Sequence, residues 1–401
     1  MRALAVLLAL AAPLLAQNEK AKAFNEAFSH LQVPENNELS EQMWDVIEHG
    51  WSGDHPDLDE VLAKNEEALS LAAMIAEPER ASFLEGLTFS TDTPTRHHAQ
   101  ALRMTRLRVV LARRAAAHDL YDQAAEQCLL ALSMGEALDH DRIAESRIMH
   151  AGISGFVDPC LADVVNSARI SREEILKIAT TLSGMRGREP AIADAIAADT
   201  EWEIRFVDGV FLDHDALARV LEHEKSQDLA VKLGYADDAT CQAWRTQTTA
   251  MLTENGKKTE AATRPGHIAD LAAVWKDSEA SRTQPQGIPD VLFRFLAHDH
   301  QRTVEVLANH QAGLAVLATL VALRRYRDAK GDAPGVLSAL VPEFLDEVPS
   351  DPFDGKPLRY SVECDRVRVW SVGKDLGDDG GTKPYDPKSD LAGTDIILEL
   401  K

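Results

Sequence analysis

Residues 304–327 read VEVLANHQAGLAVLATLVALRRYR, and the rest of the chain is best interpreted outward from them. The segment from Ala312 to Leu323 is wholly apolar or small. It is too short for a membrane-spanning helix, which needs ~20 apolar residues, and suits a helix buried in a core. Arg324-Arg325-Tyr326-Arg327 closes it, with Gly331 and Pro334 beyond, a pattern that stops a helix at its C-terminus. Then the composition changes. Pro342, Pro349, Pro352 and Pro357 punctuate a loop, and Leu358–Cys364 and Arg366–Val372 alternate apolar with polar residues, predicting a hairpin. A loop rich in glycine and aspartate follows, and Asp395–Leu400 reads as a last strand. Residues 301–401 are therefore predicted to form a small α+β head with an antiparallel sheet.

Upstream, residues 17–300 are helical in pattern almost throughout. Leu58, Val61, Leu62, Leu69 and Ala72 fall on one face of a helix, with Pro56 at its start. Ser171 and Glu174 form a capping box ahead of Ile175, Ile178, Ala179 and Leu182. Breaks are predicted near Val33-Pro34, Thr91 to Pro94, Gly184 to Pro190 and Gln284 to Pro289. Leu111–Leu132, with Tyr121, Ala124, Ala125 and Ala131, looks like one tetratricopeptide unit, but no 34-residue period recurs. The prediction is a mainly α protein: an irregular helical array, tetratricopeptide-like in part, followed by the α+β head.

Acidic residues outnumber basic ones by 65 to 42, a net charge of −23 over 401 residues, and 45% of residues are apolar. That field repels phosphate backbones, which argues against nucleic acid as a partner. Met1-Arg2, the apolar run Ala3–Ala12 and Pro13-Leu14-Leu15-Ala16 have the three parts of a secretory signal peptide over residues 1–16. The mature chain is then expected outside the cytoplasm, periplasmic or secreted, without a transmembrane span. Cys128, Cys160, Cys241 and Cys364 contain no C-x-x-C pair, so a metal knuckle is not expected; buried thiols are favoured over disulfides in a chain of this length.

The tail has a resemblance. Leu340-Val341-Pro342-Glu343-Phe344-Leu345, then Val348-Pro349-Ser350-Asp351-Pro352-Phe353-Asp354-Gly355-Lys356-Pro357-Leu358-Arg359-Tyr360, then Trp370-Ser371-Val372-Gly373-Lys374-Asp375, and finally Asp395-Ile396 resemble the head of the major pseudopilin of type II secretion. In that family a long helix ends at Gly-x-Tyr-Pro and is followed by Leu-x-x-Leu, Asp-Pro-(Trp/Phe)-Gly, Tyr-Ser-x-Gly-x-Asp-Gly and Asp-Ile. This chain departs from the pattern. Its turn is Gly331-Asp332-Ala333-Pro334, Leu376 replaces a glycine, and His298-Asp299-His300-Gln301-Arg302 stands where the pilin helix would continue into a membrane. The whole layout is similar to a group of exported bacterial proteins with a helical region and a pseudopilin-like tail, which implies architecture and not activity.

Asp375, Asp378, Asp379 and Asp395 lie in or beside a loop holding Gly373, Gly377, Gly380, Gly381 and Gly393. Calcium takes 6–8 hard oxygen ligands. Crowded carboxylates repel by ~1 kcal/mol or more per close pair, which a dication relieves. The resemblance implies calcium here, with Asp375 and Asp395 matching the family's positions best and Asp378 and Asp379 added. A solvated acidic turn is the plainer alternative.

Other signals are weaker. His97-His98, Asp139-His140-Asp141, Asp213-His214-Asp215 and His298-Asp299-His300 lack the spacing of a helical zinc motif. Arg103, Arg106, Arg108, Arg113 and Arg114 read as the solvated face of a helix. No catalytic residues are legible. The expected function is an exported, non-catalytic interaction or structural protein of the cell envelope with a calcium-stabilised head and an envelope protein as partner. The alternative is an exported hydrolase with its site in a cleft of the helical domain. A deep cleft lined by convergent ionisable groups with shifted pKa values would favour the hydrolase, and a shallow acidic surface the interaction protein.

Overall fold

The computed structural model describes residues 18–32, 37–75, 80–83, 96–141, 143–224, 226–263, 287–297, 300–363, 366–381 and 395–400. The signal peptide expected over residues 1–16, Cys364, Gly393 and the breaks expected at Val33-Pro34, Thr91 to Pro94 and Gln284 lie outside these residues. The helices are α1 Glu19–Ser29, α2 Asn37–His49, α3 Pro56–Lys64, α4 Glu66–Ala73, α5 Arg96–Ala117, α6 Tyr121–Asp139, α7 Ala144–Asn166, α8 Arg172–Arg188, α9 Ile192–Leu212, α10 His214–His223, α11 Gln227–Leu233, α12 Asp238–Ala262, α13 Ile288–Leu296 and α14 His300–Lys330. Strands β1 Arg359–Glu363, β2 Arg366–Ser371 and β3 Ile396–Leu400 make one antiparallel sheet with β2 in the centre. The chain is mainly helical with a small three-stranded sheet near its C-terminus, as its pattern predicts.

Local rules account for many of these boundaries. Ser171 Oγ accepts the Glu174 N–H at 3.1 Å and caps α8, whose Ile175, Ile178 and Leu182 are buried. The helix expected to run on from Leu58 is divided into α3 and α4. Asn65 divides it: its side chain donates to the Val61 carbonyl and accepts the Gln32 N–H at 2.8 Å each, so a buried amide competes with the helix's own ladder. The tetratricopeptide-like stretch is the α5–α6 hairpin, with Ala124, Ala125 and Ala131 buried at the contact.

The basic run of α5 is not a solvated face. Arg108 is 2% exposed and donates to the Leu69 carbonyl at 2.6 Å and to Gln127 at 2.9 Å. Arg106 lies over the Trp44 ring, 4.7 Å from its centroid, Arg113 pairs with Asp163 at 2.6 Å, and Arg114 with Asp59 at 3.1 Å. The preceding layer of helices covers this side of α5, and arginine stems bury along aromatic surface while their heads find acceptors.

One hydrophobic cluster takes residues from α1 to α8, the second half of α14 and all three strands, including Val367, Val369 and Leu400. A second fills the space among α9 to α13, and a third joins the start of α9 and end of α12 to the first half of α14, Phe353, Val372 and Ile396. α14 therefore packs against the helical body along one side and the sheet along another. Among the described residues, two helical segments, Ala144–Asn166 and Arg302–Lys330, are long and apolar enough to cross a membrane; 50% and 78% of their most apolar windows are buried within the protein.

Candidate metal centre and cleft

His150 on α7, Glu189 at the end of α8 and His310 on α14 converge, each offering one ligand atom within 4.8 Å of the others. The two imidazole centroids are 4.5 Å apart, and His310 Nε2 is 3.1 Å from Glu189 Oε1. His150 and His310 are 3% and 6% exposed. The approach depends on Gly135 of α6, where a Cβ would sit 2.4 Å from His150 Cδ2. Among the described residues, His150 Nε2, His310 Nδ1 and Asp158 Oδ1 are buried without a hydrogen-bond partner. Such groups carry a desolvation cost that a ligand would remove.

The electrostatics separate these groups sharply. Burial, and then the charge of His310, hold His150 down at about 3, so it is neutral and has a free lone pair at neutral pH. Burial alone would raise Glu189, but the charge and hydrogen bond of His310 outweigh it and keep the carboxyl at about 2. His310 is depressed by burial but raised overall by Glu189. Asp158, two turns beyond His150 on α7, is pushed up by burial to about 7.

His310 and Asp158 are also wall residues of a cleft of about 780 Å³ between α7, α14 and the β2–β3 face. That volume is in the range of small-molecule sites. Arg302 and Asn309 of α14 and Arg366 and Arg368 of β2 line it as well. Pro159 lies inside α7 and has no N–H for the Gly155 carbonyl, and both residues face the cleft.

The aspartates expected to bind calcium are placed as follows. Asp375 is exposed, and its Oδ1 accepts the Gly377 N–H at 2.9 Å. Asp378 accepts from Trp370 Nε1 at 2.9 Å and from the Gly380 N–H at 3.0 Å. Asp395 is fully buried and accepts the Gly381 N–H at 2.8 Å and the Asp379 N–H at 3.5 Å. Burial raises the Asp395 carboxyl and the charges of Asp378 and Asp379 add to the rise, so these three are gathered and Asp375 caps its own turn. Residues 382–394 of the loop lie outside the described residues. Leu376 has φ 59°, in the left-handed region that glycine adopts freely.

Asp351 is the organising residue of the head. It is fully buried and accepts from the Phe353 and Val372 N–H groups, Ser371 Oγ and Arg359, at 2.9–3.0 Å.

The histidine signals resolve differently. His97 stacks on Phe83 and lies 3.5 Å from Asp141, and His98 bonds Ser146 at 2.8 Å; burial holds both at about 3, as core residues. Asp213 caps α10. Cys128 and Cys160 are buried thiols with sulfurs 3.6 Å apart, and Cys241 is free and buried. His300 belongs to a second ligand group, with Asp199 and Glu203.

No family model, curated protein or solved structure matches this chain.

Proposed function

We propose that the protein is an exported, metal-dependent hydrolase, with a divalent ion of the zinc class held by His150, Glu189 and His310 and its substrate in the adjoining cleft. The observation that carries this reading is the meeting of two imidazoles and a carboxylate, one of which, His310, lines the cleft. This donor set leaves a coordination position for water, and a bound ion lowers that water's pKa towards ~7. Asp158, on the cleft wall with Oδ1 unpartnered among the described residues and its carboxyl raised by burial, is the group suited to take the proton. Asn309 Nδ2, buried without a partner among the described residues, offers a donor to a substrate carbonyl or anionic group. His310, which joins this group to the cleft, and Asp158, a second ionisable residue on the cleft wall, support this reading over the non-catalytic envelope protein expected from sequence.

The head supports a second, compatible role. Asp395 is raised partly by its acidic neighbours, a repulsion that calcium would relieve, and the backbone at Leu376 holds the conformation of the glycine it replaces. We read the head as pseudopilin-like and calcium-stabilised, with an envelope protein as its partner; export rests on residues 1–16.

The test is made on the full mature chain after chelation. Zinc reloading followed by elemental analysis should show His310→Ala binding one ion fewer than wild type. The reloaded wild type should hydrolyse at least one of a panel of chromogenic esters, phosphodiesters and amides, and His310→Ala should not. Equal zinc content in the two proteins rejects the centre. Equal metal-independent turnover rejects its catalytic role.

A further inference from the structure

We propose that the chain holds a second, purely structural cation between α9 and the start of α14, on Asp199, Glu203 and His300, independently of the cleft centre. Asp199 and Glu203 are one turn apart on α9, so both side chains leave the same face. His300 meets them there: its Nε2 is 3.1 Å from Glu203 Oε1 and 3.7 Å from Asp199 Oδ2. All three are nearly sealed from solvent, at 5%, 2% and 1% exposure. Glu203 Oε2 has no hydrogen-bond partner among the described residues.

The surroundings are those of a ligand set. The Asn255 side-chain amide lies 3.0 Å from His300 Nδ1 and fixes the ring so that Nε2 faces the carboxylates; with the amide oxygen accepting the Nδ1 proton, the Nε2 lone pair is left for the ion. Gly256, the next residue on α12, makes that reach feasible: a Cβ there would lie 2.3 Å from Thr200 Oγ1, so only glycine lets α12 approach α9 this closely. Asp199 Oδ1 accepts the Ala144 N–H at 3.2 Å, which anchors the carboxylate and leaves Oδ2 for the ion. Two carboxylates buried together cannot both ionise without a compensating charge. A dication lets both ionise and ties α7, α9, α12 and α14 at one point. Two oxygen donors and one imidazole suit manganese or ferrous iron as well as zinc. None of these three lines the cleft, whereas the other centre presents His310 to it, so this ion is assigned to structure and not to catalysis.

The experiment uses full-length His310→Ala protein, which lacks the cleft centre, in buffer holding millimolar calcium so that the acidic loop is not the reporter. Manganese is added and free ion is followed by its electron paramagnetic resonance signal. One ion per chain should bind and raise the melting temperature. Adding Glu203→Gln should abolish both effects, yet leave the metal-free protein melting no lower, because burial already favours the uncharged Glu203 carboxyl there and glutamine keeps its shape. Asp199→Asn serves as the second variant should Glu203→Gln unfold. Absence of manganese, iron and zinc binding in the His310→Ala chain overturns the proposal. So does full binding in a folded Glu203→Gln or Asp199→Asn double variant.

Discussion

Asp158 shows how placement alone changes what a carboxylate can do. Burial raises it to about 7, against ~3.9 for an unperturbed aspartate. In metal-free protein the folded state therefore holds a proton that the unfolded state has released, throughout the interval between those values. Stability falls with rising pH wherever the folded state binds more protons. Asp158→Asn has no such proton, so its stability relative to wild type should grow from pH 4 to pH 7, by no more than ~1.4 kcal/mol per unit, and level off above. Urea melts in chelator across that range test it, and a difference that does not vary with pH removes Asp158 as the cleft's proton acceptor. Almost nothing at this scale was legible in the sequence. His150, Glu189 and His310 come from three helices and have no common spacing, so only folding reveals their meeting. The i, i+4 pair Asp199 and Glu203 was a usable signal, but in a chain with 65 acids such pairs do not stand out.

Helix contacts are where the centre's geometry is set. α6 approaches α7 at Gly135, and the His150 ring occupies the space a methyl group would need. Gly135→Ala should gain ~1 kcal/mol of helix propensity and lose ~1–3 kcal/mol to overpacking, while displacing His150 and weakening zinc. Gly152→Ala on α7, where a Cβ meets nothing within 4 Å, isolates the propensity gain. Parallel denaturation and zinc titrations should separate the two; equal behaviour would mean that the close approach constrains nothing. The elements themselves were largely readable. α14, the hairpin, β3 and the Ser171 cap follow from periodicity, alternation and capping. The division at Asn65 and the burial of Arg108 were not readable, because each depends on a carbonyl or amide supplied by a distant segment.

At the scale of the molecule, the head and the helical body share a hydrophobic cluster, and Asn166 of α7 donates to the Glu399 carbonyl of β3 at 2.9 Å. Calcium bound at the acidic loop should therefore stabilise more than the head. Millimolar calcium is expected to shift the main thermal transition of the full chain upward, with the shift abolished in Asp395→Asn. A minor, separate transition moving alone would show the two parts to be energetically uncoupled, and no shift at all would discard the calcium reading. The same shared core has a consequence for biosynthesis. Leu400, fully buried, leaves the ribosome after every helix whose side chains it joins. The helical part is therefore synthesised before its interior is complete. Under the export proposed above, such an order of synthesis would keep the chain competent for passage through a translocon.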